Sequence, residues 1–198
     1  MLIFWKERLV FLSTPKTGST SIETALESMA HVAIRRPPEL KHMSAMRYTK
    51  FFAPLLEKAS GHKFTTVALM RDPIDWLGSW YRYRQRTDIA DRDRSTMGIS
   101  FEQAAERYLS GHSGDTMNVG SQARFLGWND GRVAVDKVFR YEAIDQFVHF
   151  LEDRLDCEII LPRLNVSPMA SLALMGATTA RLHEKFTPDY LIYNALDT

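Results

Sequence analysis

An α/β fold, three layers with a central mostly parallel sheet flanked by helices, is what this chain predicts from three observations. Short apolar, β-rich runs alternate with helix-like segments, and two of those runs end abruptly in residues suited to binding anions. A hydrophobic share of 45% over 198 residues is enough for one sizeable core. A single domain, residues 1–198, accounts for that length, with substrate loops expected at residues 87–98 and 111–118.

The elements follow in order. Residues 8–13 read as a buried strand, residues 20–30 as a helix and residues 31–34 as a short apolar piece, after which Arg35-Arg36-Pro37-Pro38 breaks regular structure. Residues 44–59 carry helical spacing. Residues 64–70 are β-rich and stop at Arg71-Asp72-Pro73, where Pro73 suits the first turn of a helix running to about Arg86. Residues 87–98 are charged and lack apolar periodicity, so they read as a mobile loop. Ser100 and Gln103 form a capping-box pair that opens a helix to Leu109. A second polar loop covers residues 111–118, and residues 119–126 read as a short helix ended by Gly127. Residues 133–140 form another strand. Ile144, Phe147, Val148 and Leu151 then make one apolar helical stripe within residues 143–155. Residues 158–161 read as a short strand, 162–171 as a loop and 177–186 as the final helix.

Composition narrows the function classes. A formal net charge of +1 gives no extended nucleic-acid footprint, so any anion site is local. Cys157 is the only cysteine, which rules out an intramolecular disulfide and fits a reducing compartment. The apolar run at the N-terminus is too short for a signal peptide, and no stretch approaches the length of a membrane span. A soluble cytoplasmic protein is the expectation, and the chain leaves its oligomeric state open.

Thr14-Pro15-Lys16-Thr17-Gly18-Ser19-Thr20-Ser21 lies between an apolar strand and a helix. Gly18 allows close backbone approach, and the first N–H groups of a helix lack internal partners and sit at the positive end of its dipole. Lys16 and the hydroxyls add charge and donors. In a nucleoside-triphosphate loop the lysine follows the second glycine, whereas Lys16 precedes the only glycine by two positions. The same residue types also suit an ordinary capped helix start. A second anion motif is Arg71 at a strand end with Ser79 eight positions later; the guanidinium fork matches phosphate oxygens. The competing account is that Arg71 pairs with Asp72, Asp75 or another carboxylate and that Ser79 faces solvent.

Together and in this order, Pro15 to Thr20 and Arg71/Asp72/Pro73/Ser79 resemble the sulfotransferases that use 3′-phosphoadenosine 5′-phosphosulfate, closest to the smaller bacterial and carbohydrate-type members. The similarity extends to Val138-Phe139-Arg140-Tyr141-Glu142 and to Asp189-Tyr190-Leu191-Ile192-Tyr193. It implies a P-loop-like fold. It also implies that Lys16 contacts the bridging oxygen and sulfuryl group, that Thr17, Gly18, Ser19 and Thr20 hold the 5′-phosphate, and that Arg71 and Ser79 hold the 3′-phosphate. Tyr141 matches a tyrosine that lies beside the adenine in some members, or else is a half-buried core residue. Arg163 and Ser167 occupy the place of a late loop that closes over the nucleotide.

The implied chemistry is sulfuryl transfer to a hydroxyl on a small molecule or carbohydrate, with adenosine 3′,5′-bisphosphate as product and no metal required. Such an acceptor needs a base. His42, between the two phosphate motifs, is the candidate; Glu23, one turn into the first helix, and His112, in a loop, rank below it. A P-loop nucleotide or small-molecule kinase is the enzymatic rival. A catalytically silent nucleotide-binding protein of the same fold, meeting a partner through residues 87–94, is the other. Arg92 and Arg94 in that segment suit an acidic polysaccharide or simply a solvated surface.

Overall fold

The computed structural model describes residues 1–87, 94–112, 116–162, 164 and 170–196. Five strands form its sheet: β1 (Leu2–Phe4), β2 (Leu9–Leu12), β3 (Val32–Ala33), β4 (Thr65–Met70) and β5 (Lys137–Arg140). Their order is β3-β1-β2-β4-β5, with β2, β4 and β5 parallel and β1 antiparallel to both of its neighbours. The sheet is therefore mixed, two parallel pairings and two antiparallel, rather than mostly parallel. The cause is β1: Leu2, Ile3 and Phe4 are buried and fold back on β2 through the tight turn at residues 5–8, where Arg8 is left-handed (φ 51°).

The helices among the described residues are α1 (Ser19–Leu26), α2 (Pro38–Lys41), α3 (Ala45–Arg47), α4 (Ala53–Ser60), α5 (Pro73–Arg84), α6 (Phe101–Ser110), α7 (Gln122–Leu126), α8 (Ile144–Leu155), α9 (Gly176–Lys185) and α10 (Thr187–Asn194). Alternation along each strand sends side chains to opposite faces of the sheet. Ile3, Val10, Leu12, Ala68 and Met70 pack with Ala45, Tyr48, Leu56 and Leu126 on one face. Leu2, Phe4, Leu9, Phe11, Val67 and Leu69 pack with Ile22, Leu26, Phe147 and Leu151 on the other, so helices cover both faces. A third apolar cluster, Trp76, Tyr81, Phe101, Leu182 and Phe186, joins α5, α6 and α9 away from the sheet.

Several sequence expectations shift. Residues 44–59 are not one α-helix, because a π-turn over Tyr48–Phe52 separates α3 from α4. Pro54 has no N–H to donate back to residue 50, which interrupts the regular ladder there. The strand expected from residue 133 begins only at Lys137: Asp136 takes the Thr66 N–H and hydroxyl, each at 2.7 Å, and its own N–H donates to Thr66 Oγ1. Residues 158–161 form no strand; the Ile159 N–H instead donates to Glu152 Oε1 at 2.8 Å. Nor does the helix ending at Lys185 close the chain, since Pro188 sits in the first turn of α10. The capping box at Ser100 and Gln103 is present in both directions. In the two expected substrate loops, residues 88–93 (Arg92 among them) and 113–115 lie outside the described residues. Thr96 and Met117, in the same segments, are fully buried.

Candidate functional site

The candidate site lies where three parallel strands end. Residues 14–21 follow β2, Arg71 follows β4 and Tyr141 follows β5, and since β2 pairs with β4 and β4 with β5, all three emerge at one edge of the sheet. In an open α/β sheet this carboxyl edge is where ligands bind.

In the first loop, Lys16 and Gly18 are both left-handed, with φ of 66° and 71°. That geometry costs a lysine on the order of 1–2 kcal/mol, and it brings the chain round into α1. Gly18 is the N-cap of α1, no side chain caps that helix, and no acidic residue stands in its first turn. Its first N–H groups and its dipole therefore face the loop without an internal anion. Thr17 is fully buried and its hydroxyl donates to the Thr14 carbonyl at 3.0 Å, so what Thr17 offers a ligand is its main-chain N–H. Ser19 is buried, and Thr20 is half-buried with its hydroxyl 3.4 Å from Lys41 Nζ.

Lys16 does not project into the loop. Its Nζ lies over the Tyr83 ring, 2.9 Å from the centroid, and 4.7 Å from that of Trp80. Burial, then the charges of Arg84, Arg86 and Lys41, lower its pKa from the ordinary lysine value to about 6. The ammonium proton is thus held more weakly than that of an ordinary lysine.

The second loop is clamped through its main chain. Arg71 N–H donates to Gln122 Oε1 at 2.9 Å and the Arg71 carbonyl accepts from Gln122 Nε2 at 2.7 Å. Asp72 N-caps α5 by accepting from the Ile74 and Asp75 N–H groups, both at 3.0 Å, while its own N–H donates to Glu142 Oε1. The Asp72 carboxylate thus spends Oδ1 on the cap of its own helix. Arg71 Nε is buried and has no hydrogen-bond partner. Gln122 is fixed in turn by Asp189, whose Oδ1 accepts from the Gln122 and Ala123 N–H groups at 2.9 and 3.0 Å. Burial raises the Asp189 carboxyl to about 6 in spite of those donors.

Tyr141 joins the two loops. The Arg71 guanidinium lies 4.9 Å from its ring centroid, and a Cβ built on Gly18 would come within 3.0 Å of its Cε2. Only glycine lets this ring lie so close to the first loop. Trp76, on α5, adds a second link, its Nε1–H donating to the Pro15 carbonyl at 2.9 Å.

The base candidates separate clearly. His42 is the C-cap of α2, with Nδ1 2.7 Å from the Ser13 carbonyl. A carbonyl only accepts, so Nδ1 carries the hydrogen and Nε2 keeps its lone pair. Burial lowers the His42 pKa, which keeps the ring neutral near pH 7. Glu23 is fully buried in a cluster of its own, accepting from the Ser13 hydroxyl at 2.6 Å and the Met1 amino group at 2.9 Å and pairing with Lys41 Nζ at 2.9 Å. Burial alone would push this carboxyl up, but those three partners bring it below the usual range.

Ser79 is half-buried on α5, and Arg82, one turn further on, lies near enough to Arg71 for the two charges to repel. Leu172 seals the neighbouring turn against Gly78, where a Cβ would meet its Cδ1 at 2.6 Å. His112 is exposed at the end of α6. Arg163 and Ser167 lie outside the described residues. The sequence reading missed Lys41, Arg82 and the ring pair of Trp80 and Tyr83; the three-residue spacings of Arg82 from Ser79 and of Tyr83 from Trp80 were the available signals. No helix among the described residues is long and apolar enough to cross a membrane. Comparison with protein-family models, with curated proteins and with solved structures finds no match to this chain.

Proposed function

We propose that this chain transfers a sulfuryl group from 3′-phosphoadenosine 5′-phosphosulfate to a hydroxyl acceptor, on a P-loop-like scaffold. The observation that carries the reading is the joining of two anion motifs at one edge of the sheet: they follow adjacent parallel strands, and the Tyr141 ring lies against both. Two features fit a ligand with two anionic ends. Arg71 Nε is buried without a partner, and α1 opens at Gly18 with no side-chain cap.

In this reading Arg71, with Ser79 and Arg82 on α5, holds the 3′-phosphate. The N–H groups that open α1, with Thr20, hold the 5′-phosphate, and Tyr141 flanks the nucleotide. The donor supplies the sulfuryl group: a sulfur–oxygen bond to the acceptor forms as the bond to the bridging oxygen breaks, and adenosine 3′,5′-bisphosphate leaves. Lys16 leaves its aromatic rest position and provides the positive charge that stabilises the departing oxygen. His42 accepts the acceptor's proton at Nε2, and its Nδ1–H bond to Ser13 holds the ring in the tautomer that can do so. The acceptor is a small molecule or a carbohydrate.

Competition calorimetry tests the donor assignment. Adenosine 3′,5′-bisphosphate is expected to bind without magnesium and to resist displacement by ATP. Preferential, magnesium-dependent ATP binding would overturn the reading in favour of a kinase, and bisphosphate binding with no transfer to any hydroxyl would leave a silent nucleotide-binding protein.

A further inference from the structure

The segment from α3 through the π-turn to α4 turns one side to the sheet and the other outward. Ala45, Tyr48 and Leu56 are buried on the inner side, with Phe52 and Ala53 packed against the same cluster. On the outer side Met46, Phe51 and Leu55 are 56, 59 and 63% exposed, three large apolar side chains close together in the chain. The π-turn aligns them. In an unbroken α-helix, residues five apart point about 140° away from each other. The π-turn over Tyr48–Phe52 takes one residue more per turn, so Phe51 follows Met46, and Leu55 follows Phe51, along one stripe. The other strongly exposed apolar side chains, Met97, Ile160, Met175 and Leu191, fall singly on separate segments.

Cations border the stripe. Arg47, Lys50 and Lys58 are exposed, Lys50 Nζ lies 5.3 Å from the Phe51 ring centroid, and Arg124 is exposed in a groove that Met46 also lines. None of these four side chains makes an ion pair among the described residues. The only acid between residues 44 and 60 is the half-buried Glu57, and of the exposed residues from 46 to 58 only Thr49 is neither apolar nor cationic.

We propose that this stripe docks the protein on an anionic lipid surface. Met46, Phe51 and Leu55 enter the boundary between headgroups and acyl chains, while Arg47, Lys50 and Lys58 meet lipid phosphates. Long basic side chains suit that position, because their carbons lie along apolar surface while the charge stays at the phosphate level. Two other occupants fit less well. A second copy of the chain would set this basic face against itself and oppose like charges. A protein partner draws on directional hydrogen bonds, which the neutral exposed side chains here, Thr49 apart, do not offer. With three apolar side chains entering, attachment is reversible and salt-sensitive. Docking of this kind needs neither nucleotide nor acceptor, so it stands apart from the sulfotransferase reading.

Co-sedimentation of the intact chain with vesicles measures the attachment. At low salt, phosphatidylcholine vesicles containing phosphatidylglycerol are expected to bind the protein at least about tenfold more strongly than phosphatidylcholine alone, and added salt should weaken that binding. Phe51→Ser/Leu55→Ser should reduce the partition by about tenfold or more, since it removes the apolar area that enters the lipid. Lys50→Gln/Lys58→Gln should lower it by about tenfold on the anionic vesicles alone. Leu191→Ser, at an exposed apolar position on α10, should leave binding within about twofold. If Phe51→Ser/Leu55→Ser loses its fold, the lysine variant and the salt series decide by the same criterion. Wild-type protein that ignores phosphatidylglycerol vesicles overturns the proposal and leaves the stripe to an acidic protein. Equal binding to neutral vesicles, unchanged binding in both double variants, or an equal loss in Leu191→Ser overturns it as well. A lipid-free dimer that Phe51→Ser/Leu55→Ser separates in sedimentation velocity would assign the stripe to a second copy instead.

Discussion

The two halves of the candidate site solve opposite problems. In the loop after β2 the two lysines already have internal partners, Lys16 on the rings of Tyr83 and Trp80 and Lys41 on Glu23. In the loop after β4 the main chain is the part held, by Gln122, Glu142 and the Asp72 cap, and the buried Arg71 Nε has no partner. Under the proposed function the first half would rearrange on binding and the second would wait in place, which assigns nucleotide selectivity to the second half and rate to the first.

Lys16→Ala gives the largest effect expected of that contrast. Sulfuryl transfer should fall by about a thousandfold or more, with adenosine 3′,5′-bisphosphate affinity changed by much less. A variant that loses binding in proportion to rate would make the two halves equivalent. His42→Ala should reduce turnover by about a hundredfold and leave binding intact, and the wild-type rate should fall as acid protonates the ring, a limb absent from the variant. Full activity would remove His42 as the base.

Arg71→Ala should weaken the bisphosphate by about ten- to a hundredfold and leave adenosine 5′-phosphosulfate, which lacks the 3′-phosphate, unaffected. Equal weakening of both ligands would place Arg71 elsewhere. The pH dependence separates the halves again. Lys16 loses its proton near pH 6 in the free protein and regains it beside an anion, so above that pH binding takes up a proton. Affinity then declines by up to about tenfold per pH unit until the bound lysine itself titrates. Titrations in buffers of different ionisation enthalpy count that proton, and Lys16→Arg should abolish it.

The smallest effect concerns the clamp behind Arg71. The folded Asp189 carboxyl titrates near 6, above the ordinary aspartate value, so between about pH 6 and 4 the native state binds a proton the unfolded state does not. Asp189 therefore favours the fold more as pH falls through that window. Thermal or urea unfolding of wild type against Asp189→Asn should show the difference moving toward wild type by about 2 kcal/mol between pH 7 and pH 4. A constant difference would mean that the clamp carries no charge.

The parts legible in the sequence were those written locally. Strands β2 and β4, helix α5 behind Pro73 and the Ser100 capping box all announce themselves through neighbours within a few residues. The strand β1 did not, because a three-residue apolar run acquires its meaning only when β2 turns back on it. Residues 158–161 have strand-like composition, but a carboxylate on α8 takes the Ile159 N–H. In the site, Arg71 and Lys16 were legible as residues but not in their resting contacts. The pairing of Glu23 with Lys41 spans two elements and follows from the fold alone, since α2 is only four residues long and carries no pattern. The association of Tyr141 with Gly18 was hidden in the same way, the two lying at the ends of different strands.

Gln122 deserves a last consideration for what it does to the sheet. Its amide gives and takes the two main-chain bonds at Arg71 that a further rung of ladder would have supplied. The sheet is in effect hemmed there by one side chain. Between Met70 and the first turn of α5 the chain can leave its neighbours with both polar groups at Arg71 still satisfied, and the sheet ends there without a frayed edge to be wetted. A glutamate at this position, accepting but unable to donate, would undo one side of the hem and leave the Arg71 carbonyl facing a carboxylate.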